Sequence, residues 1–213
     1  MAVVHVFVGG DPVSPERIGN LGPADLVIAA DSGADIAAAG AVTVNILVGD
    51  LDSISRSALE RVFDDETVIE GHPADKDATD LELALEVALR HDPSEIVFVG
   101  GGRGRLDHLL GNVGVIGSPA AGHVAVSWVM ERETAYVVRG SRSIPTTQGE
   151  VFSLIPIGSE ARGVHVRHAR WPLRDASLPI HSSLGISNVA LGEEVEIEVA
   201  DGAVLAVFNH RLE

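Results

Sequence analysis

Acidic side chains recur in four short stretches. Asp31 closes DLVIAAD, Asp50 and Asp52 stand in GDLDS, Asp75, Asp77 and Asp80 in DKDATD, and Asp107 in GGRGRLDH. Carboxylates gathered at one place repel one another and stay ionised together only if cations compensate them. Hard divalent cations take oxygen ligands, and Mg²⁺ bridging carboxylates and substrate phosphates is the commonest arrangement of that kind. Arg103 and Arg105, interleaved with Gly101, Gly102 and Gly104, add planar donors and open backbone suited to a polyphosphate. The chemistry indicated is phosphoryl or pyrophosphoryl transfer. GxxxxGK[ST] does not occur, which excludes a P-loop, and the protein-kinase signature set is missing as well.

For these residues to meet, the chain must bring several loops to one edge. Up to about Val138, apolar β-branched runs (VVHVFVGG, DLVIAAD, VNILVGD, TVIE, EIVFVGG, HVAVSWV) alternate with helical patterns. Runs buried on both faces and spaced by helices predict a mostly parallel sheet with flanking helices. Ligands of such sheets sit beyond the carboxyl ends of the strands, so Gly9, Gly10, Asp31, Gly49, Asp50 and Gly100 to Gly102 are expected to face one crevice. In TDLELALEVALRH the apolar positions repeat at helical spacing, and Thr79 with Glu82 has capping-box spacing, so this helix starts at Thr79. A second helix in RLDHLLGNVGVIG has an apolar stripe of Leu106, Leu109, Leu110 and Val113, read as core, that turns Asp107 and His108 toward the loop side. A third covers about Ser53 to Phe63.

After Arg139 the pattern changes to short alternating stretches such as EVFSLIPI, EVEIEV and AVLAVF punctuated by Gly, Pro and Ser. The expectation is an α/β domain over 1–139 followed by a small all-β sandwich domain over 140–213. The 213 residues carry Lys+Arg 15 against Asp+Glu 31, a formal charge of -16. Such a chain lacks the cations that drive phosphate-backbone binding, so no nucleic-acid partner is expected. The absence of cysteine removes disulfides, thiolate nucleophiles and zinc-thiolate sites. No window approaches the roughly 20 apolar residues of a membrane helix, and MAVVHVFVGGDP has no signal-peptide flanks. No membrane partner and a cytoplasmic location are expected.

Seven blocks in order, ADSGAD (30–35), GDLDSI (49–54), DKDATDLELAL (75–85), GRLDHLLGN (104–112), SLIPIG (153–158), WPL (171–173) and GISN (185–188), resemble the thiamin pyrophosphokinase family. The resemblance implies a homodimer that transfers the terminal pyrophosphoryl group of ATP to the hydroxyl of thiamin with Mg²⁺, releasing AMP. Carried over by position, Asp50, Asp52, Asp75 and Asp77 would hold the metal. Asp52, Asp77, Asp107 and Arg105 would act in catalysis. Asp31, Gly33, Asp50, Asp80, Gly102 and Arg103 would contact ATP. Trp171, Ser187 and Asn188 would bind thiamin, Trp171 by stacking on a cationic or pyrimidine ring, with a partner chain's copy completing the pocket. The chain departs from the family's usual ADGGAN at Ser32 and Asp35, and from its usual paired glycines at Arg103.

Two other functions fit parts of the pattern. A metal-dependent phosphohydrolase would use GDLDS as nucleophile and acid, but it needs a downstream lysine, and Lys76 is the only lysine in the chain. A non-catalytic nucleotide- or thiamin-binding module would keep Trp171 and the glycine loops without needing the acids.

Overall fold

A computed structural model of the chain describes residues 2–73, 75, 77–102 and 104–210. Two compact units are formed, one by the residues up to Val115 together with His123–Glu131, the other by Ile116–Gly122 together with the chain from Arg132 onward. Arg103 and Lys76 lie outside the described residues.

In the first unit, six strands form a parallel sheet: β1 (Ala2–Val8), β2 (Leu26–Ala30), β3 (Ile46–Gly49), β4 (Val68–Gly71), β5 (Pro93–Gly100) and β6 (Ala125–Val129). Their order is β6-β5-β1-β2-β3-β4. From β1 the chain winds outward through β2 and β3 to β4, then crosses back to lay β5 on the other side of β1. Adjacent loops after β1 and β5 therefore leave in opposite directions, which opens a crevice at the carboxyl ends of these strands. Alternate residues enter opposite layers: Phe7, Ala29, Leu47, Val97 and Val99 share a core with Ile36 and Ala37 of α2 (Gly33–Ala39) and Ala58 and Val62 of α3 (Arg56–Asp64). On α4 (Asp80–Leu89), Leu81, Ala84, Leu85, Val87 and Ala88 are buried, and Thr79 is its N-cap, accepting the Glu82 N–H. A short helix α1 (Pro15–Gly19) follows β1.

Helix α5 (Leu106–Ile116) departs from the sequence expectation. Leu106 and Leu110 are 69% and 63% exposed, and Ile116 is its one buried residue. Leu106 and Leu110 are thus surface residues, not core. Leu109 and Val113 are half-buried, while Arg105 and His108 are exposed at the cleft edge.

The second unit is built on two long antiparallel strands, β7 (Glu133–Pro145) and β12 (Glu194–Asn209), with β8 (Val151–Pro156), β9 (Ala161–Arg167), β10 (Leu173–Leu178) and the short β11 (Asn188–Val189). The first half of β12 pairs with β9, which pairs with β10; the second half pairs with β8, which pairs with β11. β7 accompanies β12 through both halves. Gly140 (φ +74) and Gly202 (φ +84) sit at the corners, where the β7–β12 register shifts, so each long strand passes from one sheet of a sandwich to the other. The glycine at which the sequence changes character therefore lies inside β7. Val138, Ile144, Phe152, Leu154, Val166, Ile197 and Phe208 fill the interior, with Phe152 and Phe208 stacked at 5.0 Å.

The buried Trp128 indole donates to the Gly100 carbonyl at 2.6 Å, fixing the last residue of β5 where the crevice begins. Trp128→Phe leaves that carbonyl without its donor and is expected to lower unfolding free energy by about 1–3 kcal/mol, measured by urea denaturation.

Candidate functional site

The carboxyl ends of β1, β2 and β5 and the N-terminus of α4 enclose an open cleft of about 380 Å³ in the first unit. Gly9 and Gly10, Asp31 and Ser32, Thr79 and Asp80, and Gly101 with Gly104 form its walls. Arg105, His108 and Asn112, spaced three and four apart at the start of α5, complete it. Close backbone packing at this edge depends on missing side chains. A Cβ on Gly33 would lie 2.1 Å from the Phe7 carbonyl oxygen, and one on Gly100 2.3 Å from that of Val8. Gly33 thus packs α2 onto β1 as a buried residue. A Cβ on Gly49 would meet Asp80 Oδ1 at 3.0 Å and Asp31 Cβ at 3.2 Å, so those two aspartates flank the end of β3.

Asp31 follows β2 in a left-handed conformation (φ +45), which aspartate tolerates better than most residues. It is 7% exposed. Its Oδ2 accepts the Ser53 hydroxyl proton, whereas Oδ1 is buried without a hydrogen-bond partner among the described residues. One carboxylate oxygen each from Asp31, Asp50 and Asp52 lies within 4.8 Å of the other two. Asp50 Oδ1 also accepts the Asp52 N–H at 3.3 Å, across Leu51 at φ +67, which turns both carboxylates out of one tight bend. A buried oxygen with no donor, beside two more carboxylates, is a poor arrangement for a bare protein and a fitting one for a hard divalent cation.

The other expected residues are distributed as follows. Asp80 lines the cleft. Asp75 and Asp77 are exposed in the segment before α4 and stand outside the three-carboxylate group. Gly102 packs on Met130, where a Cβ would lie 2.5 Å from its side chain, and Gly101 and Gly104 take the lining positions instead. Arg105 and Asp107, both exposed, form an ion pair at 2.6 Å. Through that hydrogen bond the guanidinium holds the Asp107 carboxyl below its ordinary range, while the carboxylate raises Arg105 further.

In the second unit, Trp171 is 53% exposed, with the Arg170 guanidinium 5.0 Å from its ring centroid. Asn188 is buried. Its amide accepts the Trp171 N–H at 3.1 Å and the Val189 N–H at 2.8 Å, and donates to the Trp171 carbonyl at 2.7 Å. Asn188 thereby fixes the backbone that presents the indole. Ser187 is exposed, in a left-handed conformation (φ +60), and its N–H donates to Ser153 Oγ at 3.0 Å.

Sequence reasoning passed over Ser53 and Asn112. Asn112 Nδ2 donates to the Gly101 carbonyl at 3.1 Å, tying α5 to the glycine loop. The signal was present in the polar spacing Arg105, His108, Asn112, which the adjacent leucine stripe overshadowed.

Two family models match the chain: "Thiamin pyrophosphokinase, catalytic domain" over residues 21–126 and "Thiamin pyrophosphokinase, vitamin B1 binding domain" over residues 141–204. The thiamine pyrophosphokinase of Bacillus subtilis (strain 168) is 25% identical over 97% of this chain and 98% of its own length. Thiamine pyrophosphokinase 1 of Oryza sativa subsp. japonica is 26% identical over 72% of this chain and 61% of its own length. The crystal structure of the Bacillus subtilis enzyme shares the fold with a TM-score of 0.86 at 22% identity, covering 99% of this chain and all of that one. The yeast enzyme does so with 0.76 at 14% identity, over 98% and 86%.

Because the Asp107 pKa is depressed in the folded state, the ion pair with Arg105 is intact above the ordinary aspartate range and is lost as pH falls through the depressed value. Arg105→Gln is expected to move the Asp107 midpoint upward toward the ordinary range, read from its carboxyl-carbon NMR titration.

Proposed function

We propose that this chain, which belongs to the thiamin pyrophosphokinase family, uses the carboxylate-lined cleft of its first unit to transfer the terminal pyrophosphoryl group of ATP to thiamin with Mg²⁺ as the metal. The reaction is a transferase reaction of thiamin diphosphate synthesis. The thiamin hydroxyl oxygen bonds to the β-phosphorus, the bridge between the α- and β-phosphates breaks, AMP leaves, and the hydroxyl proton passes to a site carboxylate or to water. Little base assistance is needed, because the transition state of phosphoryl transfer is loose. One observation carries the assignment of the cleft: Asp31, Asp50 and Asp52 converge within 4.8 Å, with a buried Asp31 oxygen lacking a donor.

Asp31, Asp50 and Asp52 would hold the metal, with Asp75 and Asp77 supplying further oxygens from the segment before α4. When bound, Mg²⁺ offsets the charge of the carboxylates and of the polyphosphate and draws electron density from the transferred group. Arg105, steadied by Asp107, would meet phosphate oxygens, and Arg103 on the same loop is proposed for the same task. Asp80, Gly33 and the glycine loops would shape the nucleotide site.

Thiamin is assigned to the second unit, where Trp171 offers an exposed aromatic face to a cationic ring, and Asn188 and Ser187 shape the backbone beside it. A homodimer is proposed, with a second copy completing the thiamin pocket. Exposed Ile180, Leu184, Ile186 and Leu191 provide apolar surface for that contact. No helix among the described residues is long and apolar enough to cross a membrane, and the cytoplasm is the proposed location.

The direct test is incubation of the purified protein with Mg²⁺, ATP and thiamin, omitting each in turn, with products separated by chromatography. Equal amounts of AMP and thiamin diphosphate are expected; ADP and phosphate formed without thiamin would indicate a hydrolase instead. Asp52→Asn should reduce turnover by about a hundredfold or more with the melting temperature unchanged, and full activity would reject the metal assignment. Trp171→Ala should raise the KM for thiamin about tenfold while leaving that for ATP nearly unchanged, and equal changes in both would give the ring a structural role.

A further inference from the structure

We infer that Asp35, in the first turn of α2, is a positioning residue for the metal-directed carboxylates, because its Oδ2 accepts the backbone N–H of Ser55 at 3.1 Å and so anchors the segment that carries Asp50 and Asp52. The inference rests on the reading of the cleft as a metal site.

The segment between the end of β3 at Gly49 and the start of α3 at Arg56 belongs to no strand or helix. Its bend at Leu51 requires a left-handed backbone. Two hydrogen bonds reach from it to the end of β2 and the first turn of α2: the Ser53 hydroxyl to Asp31, and the Ser55 N–H to Asp35. Ser55 is also the N-cap of α3, its Oγ accepting the Ala58 N–H at 3.2 Å. Fixing Ser55 therefore fixes both the beginning of a helix and the end of the carboxylate bend. Further along, Arg61 donates to the Ala38 carbonyl at 3.2 Å, so α3 is tied to α2 at a second point.

Asp31 and Asp35 lie on the same turn of chain, leading into a helix packed on the sheet. One corner thus supplies a clustered carboxylate and, four residues on, the anchor that sets the distance to the other two. Asp35 is not a member of the three-carboxylate group, which separates its role from metal ligation. An acceptor oxygen at this position is what the geometry requires, and an asparagine side chain provides one as well as an aspartate does.

The test compares Asp35→Ala with Asp35→Asn, using Mn²⁺ as probe and the free-ion EPR signal as readout. Asp35→Ala is expected to weaken Mn²⁺ binding about tenfold, the upper scale of one lost hydrogen bond, whereas Asp35→Asn stays within about twofold of the unchanged protein. In steady-state kinetics, Asp35→Ala should raise the Mg²⁺ concentration for half-maximal turnover by a similar factor while kcat at saturating Mg²⁺ is retained. Equal weakening by both variants would mean that the charge of Asp35 acts, not its hydrogen bond, and would overturn the inference. Wild-type affinity in Asp35→Ala would do the same. Asp35→Ser, whose hydroxyl is too short to reach Ser55, takes the place of alanine if that variant does not fold. Asp52→Asn serves as the control: it should lose Mn²⁺ whether or not Asp35 matters. A wild-type protein that binds no Mn²⁺ would remove the metal reading itself, and this inference with it.

Discussion

Three carboxylates within 4.8 Å of one another are an electrostatic burden that a folded chain carries only if its backbone forces them together. Much of the first unit can be understood as the apparatus of that force. β2 ends so that Asp31 leaves the sheet in a left-handed turn, β3 ends one strand away, and the bend at Leu51 turns Asp50 and Asp52 back toward it. The repulsion that results makes the family's metal-assisted chemistry intelligible: a site strained by like charges favours a divalent cation and, through it, an anionic substrate.

The means of enforcement are close contacts between backbones. Gly33 lets α2 sit against the Phe7 carbonyl, and Gly100 lets β5 sit against that of Val8. Each contact brings a loop end nearer to the crevice than a side chain would permit. Trp128 and Asn112 then use up the carbonyls that the glycines leave exposed, at Gly100 and Gly101. Packing and polar satisfaction at this edge are therefore one system, and the chemistry-bearing residues hang from it.

A good part of this was legible in the residues themselves. Continuous apolar runs ending in Gly or Asp marked the parallel strands and the edge where ligands gather, because strands buried on both faces leave no polar positions to confuse the pattern. Thr79 marked the start of α4 because its side chain satisfies a helix-end N–H that has no partner within the helix. On α5 the reading of the apolar stripe as core fails at Leu106 and Leu110, which are exposed, and hydrophobicity drew attention away from Asn112 on the cleft side. Asp31 was legible as sharing a crevice with Asp50, but its closeness to Asp50 and Asp52, rather than that of Asp75 and Asp77, depends on strand order, which spacing does not encode. In the second unit EVEIEV and AVLAVF read as two strands. Gly202 between them is a corner in one strand, not a break.

That last feature bears on the order in which the protein assembles. β12 follows in the sequence every strand it joins, and β7, β8 and β9 each pair with it. A nascent chain that has reached Leu178 already holds β7 to β10, yet the strand that would knit them is still unmade. Until it emerges, Phe152, Leu154, Val164 and Val166 have no sandwich to enter and are exposed to other chains. In the parallel unit β1 meets β2 early but waits for β5 on its other side, and the last strand is made only by Val129. On the ribosome the two halves of this molecule therefore have separate windows of vulnerability, and that of the second unit closes only when β12 has emerged.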